Sequence, residues 1–223
     1  MNDDAPAGRR PPAAVLWDMD GTIVDTEAHW IDAAEEIARE HGVDVPQDAL
    51  TALVGTSLTD GAELIRGWGI EQSVSELVDR HLELAMRNTA AAGLTWRPGA
   101  RELLATLRAD GIPLALVTMS YRTYADAVIE ALPAGTFDAV VTGDAVERGK
   151  PFPDAYLRAA ELLEVEVREC VAVEDSLIGL AAARSAGAQV LGIPHHVTIP
   201  PDAADAVWPT LAGRLVADLR VPL

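Results

Sequence analysis

Asp18 and Asp20 stand two residues apart in Asp18-Met19-Asp20-Gly21-Thr22, directly after the apolar run Ala13 to Trp17. Thr118 follows a second such run, Ile112 to Val117. Lys150 lies in the loop after a third, Phe137 to Val141, and Glu174-Asp175 closes a fourth, Cys170 to Val173. If the runs are parallel strands, ligands bind just beyond their carboxyl ends. Four carboxylates, a hydroxyl and an amine then converge on one edge. Carboxylates crowded this way raise one another's pKa and cannot all stay ionised without a counter-charge. A hard divalent ion supplies it, and oxygen donors that fall short of a full cage suit magnesium, which keeps several waters. Lys150 adds the remaining positive charge.

An anionic substrate oxygen is a natural partner for such a centre, and phosphoryl transfer is the reaction it favours. Asp18 is the expected nucleophile, splitting one hard displacement into two through an aspartyl-phosphate. Asp20 is the expected general acid, then base. Thr118 and the backbone N–H of Met119 would hold equatorial oxygens, with Lys150 opposite. Gly21 frees the backbone to turn sharply after the acidic pair.

Positioning these groups requires a particular scaffold. A fifth apolar run, Ala188 to Ile193, follows the other four, and helical patterns separate them at 100–107, 121–132, 153–163 and 178–186. Strands alternating with helices of this length predict a Rossmann-like α/β core, a parallel sheet with helices on both faces. One segment breaks the rhythm. From Thr26 to Trp96 the pattern is helical throughout, with a helix over 28–41 and a capping box at Ser73-Val74-Ser75-Glu76. The predicted organisation is a disordered leader at 1–12, an α/β core at 13–25 and 97–223, and an all-helical cap at 26–96 inserted after the first strand. The stretch 211–219 is expected to form a last amphipathic helix.

The bulk composition narrows the partners. A net charge of −18 over 223 residues repels polyphosphate, so neither nucleic acid nor an anionic membrane is an expected partner. The substrate must be drawn in by local cations. No stretch is apolar for long enough to span a bilayer, and Cys170, the only cysteine, sits in an apolar run where a buried thiol is expected. These features predict a cytoplasmic protein and leave monomer and weak homodimer equally open.

In Asp18-Met19-Asp20-Gly21-Thr22-Ile23-Val24-Asp25, Val117-Thr118, Gly149-Lys150-Pro151 and Val173-Glu174-Asp175-Ser176, the chain resembles the haloacid dehalogenase superfamily, in the branch with a helical cap after the first strand. The motifs occur in that family's order over Ala13 to Ile193. The resemblance implies a magnesium-dependent phosphatase acting on a small phosphorylated metabolite. It implies that Asp18, the backbone carbonyl of Asp20, and Asp175, with Glu174 direct or through water, hold the ion. Substrate selection is expected from Glu27, Trp30, Thr56 and Leu58, which fall near the start of the cap and in its Gly55–Thr59 loop.

Plainer readings exist for each part. Asp-Gly is a turn signal, Thr118 a helix cap, Lys150 a solvated loop residue, and Glu174-Asp175 acidic capping of the next helix. None explains the strand ends together. Among rival functions, beta-phosphoglucomutases of this family carry a cap histidine and a cap-loop arginine, where this chain has Trp30 and Leu58. A dehalogenase would leave Asp20 and Glu174-Asp175 unused. A signalling receiver would place the acidic pair first rather than last, and a non-catalytic phosphate-binding protein of the same fold would not need the complete reactive set that this chain carries. The histidines show no ligand spacing and are expected at the surface or partly buried.

Overall fold

The run Ala14–Trp17 is buried at all four residues, which a strand covered on both faces explains. Its side chains alternate between two cores. Val15 and Trp17 join the cluster that holds Leu103, Leu107 and Val128. Ala14 and Leu16 join the one that holds Tyr156, Ala159 and Leu180. The period of two thus divides each run between two helical layers.

The computed structural model describes residues 9–219 together with 221 and 222. Its elements are β1 (Arg9–Arg10), β2 (Ala14–Trp17), β3 (Val24–Asp25), α1 (Glu27–Glu40), α2 (Gln47–Thr51), α3 (Leu58–Gly67), α4 (Val74–Ala92), β4 (Thr95–Trp96), α5 (Ala100–Ala109), β5 (Leu114–Val117), α6 (Arg122–Glu130), β6 (Ala139–Val141), α7 (Asp154–Leu162), β7 (Cys170–Glu174), α8 (Leu177–Ala186), β8 (Gln189–Gly192), β9 (Ala206–Val207) and β10 (Val221–Pro222). Six strands form one sheet in the order β6-β5-β2-β7-β8-β9. Every pairing in it is parallel. The core is therefore the expected Rossmann-like α/β sheet, with α5 and α6 contributing to one buried layer and α7 and α8 to the other. The chain runs outward from β2 to β6, then returns to place β7 on the other side of β2. That reversal opens a crevice between the carboxyl ends of β2 and β7.

Helices α1 to α4 occupy 27–92. Helix α4 packs on α1 and α3, and Ser73 with Glu76 closes its N-terminus in the expected capping box. Its buried face carries Leu77, Val78, Leu84 and Ala85, with His81 among them. The segment is not helical to its end. Thr95–Trp96 pairs antiparallel with Val24–Asp25 and ties the two crossings between sheet and helices together. A two-residue ribbon has no periodicity for a sequence pattern to reveal.

Three further details depart from expectation. Arg9–Arg10, in the stretch expected as leader, pairs antiparallel with Val221–Pro222, and the leader's residues 1–8 lie outside the described residues. The stretch 211–219 makes only a 3-10 turn at Val216–Asp218. Gly213, at φ +74°, breaks the helix, while Leu211 and Leu219 still bury themselves. Ala206–Val207 adds a sixth strand to the sheet. Cys170 is buried and unpaired, and burial pushes its thiol up to about 12.

Candidate active site

Because Trp17 pairs with Val173 across β2 and β7, Asp18 leaves its strand level with Glu174. Lys150 reaches between them. Its Nζ donates to Asp18 Oδ1 at 2.7 Å, to Glu174 Oε1 at 2.6 Å and to the Val117 carbonyl at 3.0 Å. Tyr156 Oη also donates to Glu174 Oε1, at 2.6 Å, and Ser176 Oγ donates to Oε2 at 3.1 Å. Glu174 is fully buried, and Asp18, Lys150 and Asp175 are each 7% exposed. A charge network this dry survives only with its hydrogen bonds satisfied.

The carboxyl groups outnumber the lysine. Burial, then the neighbouring Glu174, pushes Asp18 up to about 7 against the pull of Lys150. Burial, then Asp18 and Glu174, raises Asp175 well above the carboxylate range. Burial works against the charge on Lys150, but Asp18 and Glu174 outweigh it and hold the ammonium firmly protonated. One acceptor in the network is left over. Asp18 Oδ2 is buried without a hydrogen-bond partner among the described residues. One oxygen each from Asp18, Glu174 and Asp175 lie within 4.8 Å of one another. An all-oxygen donor set with excess negative charge and a spare acceptor fits a hard divalent cation.

Two glycines permit this packing. Gly21 sits at φ +81°, and a Cβ there would lie 2.0 Å from Asp175 Oδ2. A Cβ on Gly179 would lie 1.9 Å from Glu174 Oε1. Gly21→Ala should therefore displace Asp175 as well as strain the turn, costing about 2 kcal/mol in urea unfolding and weakening magnesium binding in calorimetry. Wild-type metal affinity in that variant would show that the close approach is not needed.

Asp20 is held by hydroxyl groups. Thr26 Oγ1 donates to Oδ1 at 2.5 Å, and Thr118 Oγ1 and Ser120 Oγ donate to Oδ2 at 3.1 and 2.8 Å. Thr118 Oγ1 in turn accepts the Ser120 N–H at 3.0 Å. The Thr118 side chain, expected on a phosphate oxygen, is here turned onto Asp20. Thr26 directly precedes α1, so Asp20 is bonded to the chain's first step into the helical segment.

One cavity joins the strand ends to the helices. Asp18, Asp20, Met119, Lys150 and Asp175 line its floor, and Glu27, Trp30, Thr56 and Leu58 line it from the 27–92 segment. Burial pushes the Glu27 carboxyl up to about 7. Glu174 and Thr118 stand behind this wall rather than on it. Four residues of the site were not singled out for it from sequence: Ser120, Tyr156, Ser176 and His81. Ser176 closes the last of the quoted motifs and Ser120 lies two residues beyond Thr118, and proximity is their one signal. Tyr156 and His81 come from helix interiors, where the sequence looks like ordinary core. His81, expected at or near the surface like the other histidines, is buried because its helix position faces α1.

A second group, Asp25, His195 and His196, also lies within metal-binding reach. Arg97 donates to His195 Nδ1 at 2.6 Å. Guanidinium N–H groups only donate, so the proton of a neutral His195 ring sits on Nε2, 3.0 Å from Asp25 Oδ2. A protonated Nε2 cannot ligate. These residues instead fasten the segment after β8 to the ribbon of β3 and β4.

The model of the family described as haloacid dehalogenase-like hydrolase matches residues 15–193. Protein CbbY of Rhodobacter capsulatus is 34% identical over 209 residues, covering 87% of this chain and 91% of the relative. Hexitol phosphatase A of Escherichia coli is 36% identical over 182 residues, covering 80% and 81%. A solved structure of CbbY from Rhodobacter sphaeroides holding xylulose-(1,5)bisphosphate superposes with a TM-score of 0.82 at 28% identity, covering 93% of this chain and 99% of that one.

Proposed function

The chain belongs to the haloacid dehalogenase-like hydrolase family, and from that premise we propose how it works as a phosphatase of small phosphorylated metabolites, sugar phosphates in particular. The observation that carries the reading is Asp18, buried, paired with Lys150 through one oxygen and, among the described residues, unpartnered at the other. An Asp18 oxygen attacks phosphorus as the P–O bond to the alcohol breaks, and Asp20 gives the departing alkoxide its proton. Water then attacks the aspartyl-phosphate, Asp20 takes the water's proton, and inorganic phosphate leaves with Asp18 regenerated. As built, both Asp20 oxygens accept hydroxyl protons, so substrate binding must turn the carboxyl away from Thr26, Thr118 and Ser120 before it acts.

Lys150 favours the anionic form of Asp18 against burial and Glu174 and offers its charge to the phosphoryl oxygens, alongside the Met119 N–H and the Thr118 hydroxyl. Magnesium would be held by Asp18, the Asp20 carbonyl and Asp175. Glu174, both of whose oxygens already accept hydrogen bonds from protein groups, would complete that set through water and chiefly positions Lys150. Bound there, the ion would neutralise charge gathering on the phosphoryl oxygens. Glu27, Trp30, Thr56 and Leu58 select the substrate. Leu58, buried in the first turn of α3, supplies no charge where a phosphomutase would have its arginine, which favours release over intramolecular transfer. No helix among the described residues is long and apolar enough to cross a membrane. A cytoplasmic location belongs to the same reading, supported by the unpaired Cys170.

A phosphate-release screen over phosphorylated metabolites, with and without magnesium, tests the reaction class. Within it, Asp20→Asn should lower turnover of alkyl phosphates by about 10²–10⁴-fold. Its effect on phosphorylation of Asp18 by para-nitrophenyl phosphate, whose leaving group needs no proton, should be far smaller and visible as a burst of nitrophenolate. Equal losses on both would remove Asp20 from proton transfer.

A further inference from the structure

His81 lines the cavity with its hydrogen bonding half finished. It is 4% exposed on the apolar face of α4. Its Nε2 lies 2.9 Å from the Trp30 carbonyl oxygen. A carbonyl only accepts, so Nε2 carries the proton and a neutral ring leaves Nδ1 as an acceptor. That Nδ1 is buried without a partner among the described residues, an arrangement that costs stability until a donor arrives. Burial lowers the ring's pKa, which keeps the acceptor lone pair available at neutral pH. The ring is also held still, edge-on to Trp30 with centroids 5.2 Å apart, while Trp30 packs on Tyr124 at 4.7 Å.

The charges of the wall point the same way. Among the described residues lining the cavity, Lys150 is the one lysine or arginine, and it lies on the floor with Asp18. From the helical side come Glu27, Trp30, Ile31, Leu53, Leu58 and His81. A second phosphate or a carboxylate on the substrate would find no lysine or arginine there, only the Thr56 and Ser57 hydroxyls beside the Glu27 carboxyl and the His81 lone pair, with His196 lining the cavity from beyond β8. A hydroxyl group would find an acceptor, and a sugar's carbon face would find Trp30.

We propose that His81 Nδ1 accepts a hydrogen bond from a substrate hydroxyl remote from the phosphate, so that the site selects uncharged polyol monophosphates over bisphosphates and phosphocarboxylates. The proposal rests on the phosphatase reading. It is tested with the full chain and magnesium on ribose 5-phosphate against 2-deoxyribose 5-phosphate, glucose 6-phosphate against each of its monodeoxy analogues, and fructose 6-phosphate against fructose 1,6-bisphosphate. Para-nitrophenyl phosphate serves as the hydroxyl-free reference. The wild type should favour at least one hydroxylated partner by about tenfold in kcat/KM, and fructose 6-phosphate over its bisphosphate by a similar factor. His81→Phe should erase the hydroxyl preference, mainly through KM, lowering kcat/KM for the hydroxylated sugar phosphates by a clearly larger factor than for the reference. His81→Gln, which keeps an acceptor, should restore part of the preference. An unchanged preference in His81→Phe, an equal loss on the reference and the sugars in both variants, or a wild-type preference for the bisphosphate would each overturn the proposal. Failure of the wild type to hydrolyse even para-nitrophenyl phosphate would instead remove the phosphatase reading, and this proposal with it.

Discussion

Asp18→Asn should abolish phosphate release, by at least about 10³-fold in kcat, while leaving the fold intact. An amide oxygen can still accept the Lys150 hydrogen bond at Asp18 Oδ1, but it is too weak a nucleophile to displace an alcohol from phosphorus. The same variant tests the electrostatics. In metal-free protein the Asp18 pKa is raised from 3.8 to about 7, first by burial and then by Glu174. A carboxyl group with a raised folded-state pKa contributes its full stability below its unfolded pKa and loses it as pH climbs through the folded value. Metal-free wild type should therefore lose stability between about pH 4 and pH 7, and the asparagine variant, without that ionisation, should lose less. Thermal unfolding in chelator across this range should show the two proteins diverging as pH rises, with magnesium closing the gap for wild type. Parallel profiles would mean that the crowding at Asp18 is relieved by something other than protonation. Turnover by Asp18→Asn at the wild-type rate would end its assignment as nucleophile.

Lys150→Met carries the second large effect, on stability as well as on activity. Methionine roughly keeps the volume and removes the charge, leaving Asp18 and Glu174 facing each other without the ammonium that each accepts from at 2.7 and 2.6 Å. Breaking a buried ion pair by deleting one partner costs about 3–5 kcal/mol. In a chain of this size that lowers Tm by roughly 10 °C. Protonating the carboxyl groups removes most of the penalty, so the deficit should shrink near pH 4 and be largest above the raised Asp18 pKa of about 7. Urea midpoints at the two pH values measure this directly. A pH-independent deficit would mean that lost packing around the lysine stem, and not lost charge, is the cause. Phosphate release should fall with the nucleophile's charge partner, whatever the stability.

Much of this centre is legible in the chain. Unbroken apolar runs at Ala14–Trp17, Leu114–Val117 and Cys170–Val173 predict strands with two buried faces, because successive side chains point to opposite faces and both must be apolar to meet two helical layers. Carboxyl groups at the ends of two of these runs, a hydroxyl after another and a lysine in a later loop predict one reactive edge, because parallel strands all end on the same side. The Ser73 and Glu76 capping box is local, and local chemistry survives into the fold. Elements too short to carry a period, such as Thr95–Trp96 and Ala206–Val207, were not readable. The helix expected over 211–219 failed at Gly213, whose positive φ is a feature of the fold and not of the hydrophobic pattern.

Residue types and order by themselves determined that Asp18, Asp20, Lys150 and Asp175 could share a site and that its chemistry would be that of phosphoryl groups. Only the tertiary structure decided how the charges are apportioned. It gave both Glu174 oxygens to Lys150, Tyr156 and Ser176, turned Thr118 and Ser120 onto Asp20, and left Asp18 Oδ2 and His81 Nδ1 without partners among the described residues. Hydrogen bonds and pKa shifts depend on ångström distances between residues as far apart in the chain as Asp18 and Lys150, 132 positions, and sequence spacing does not encode those distances.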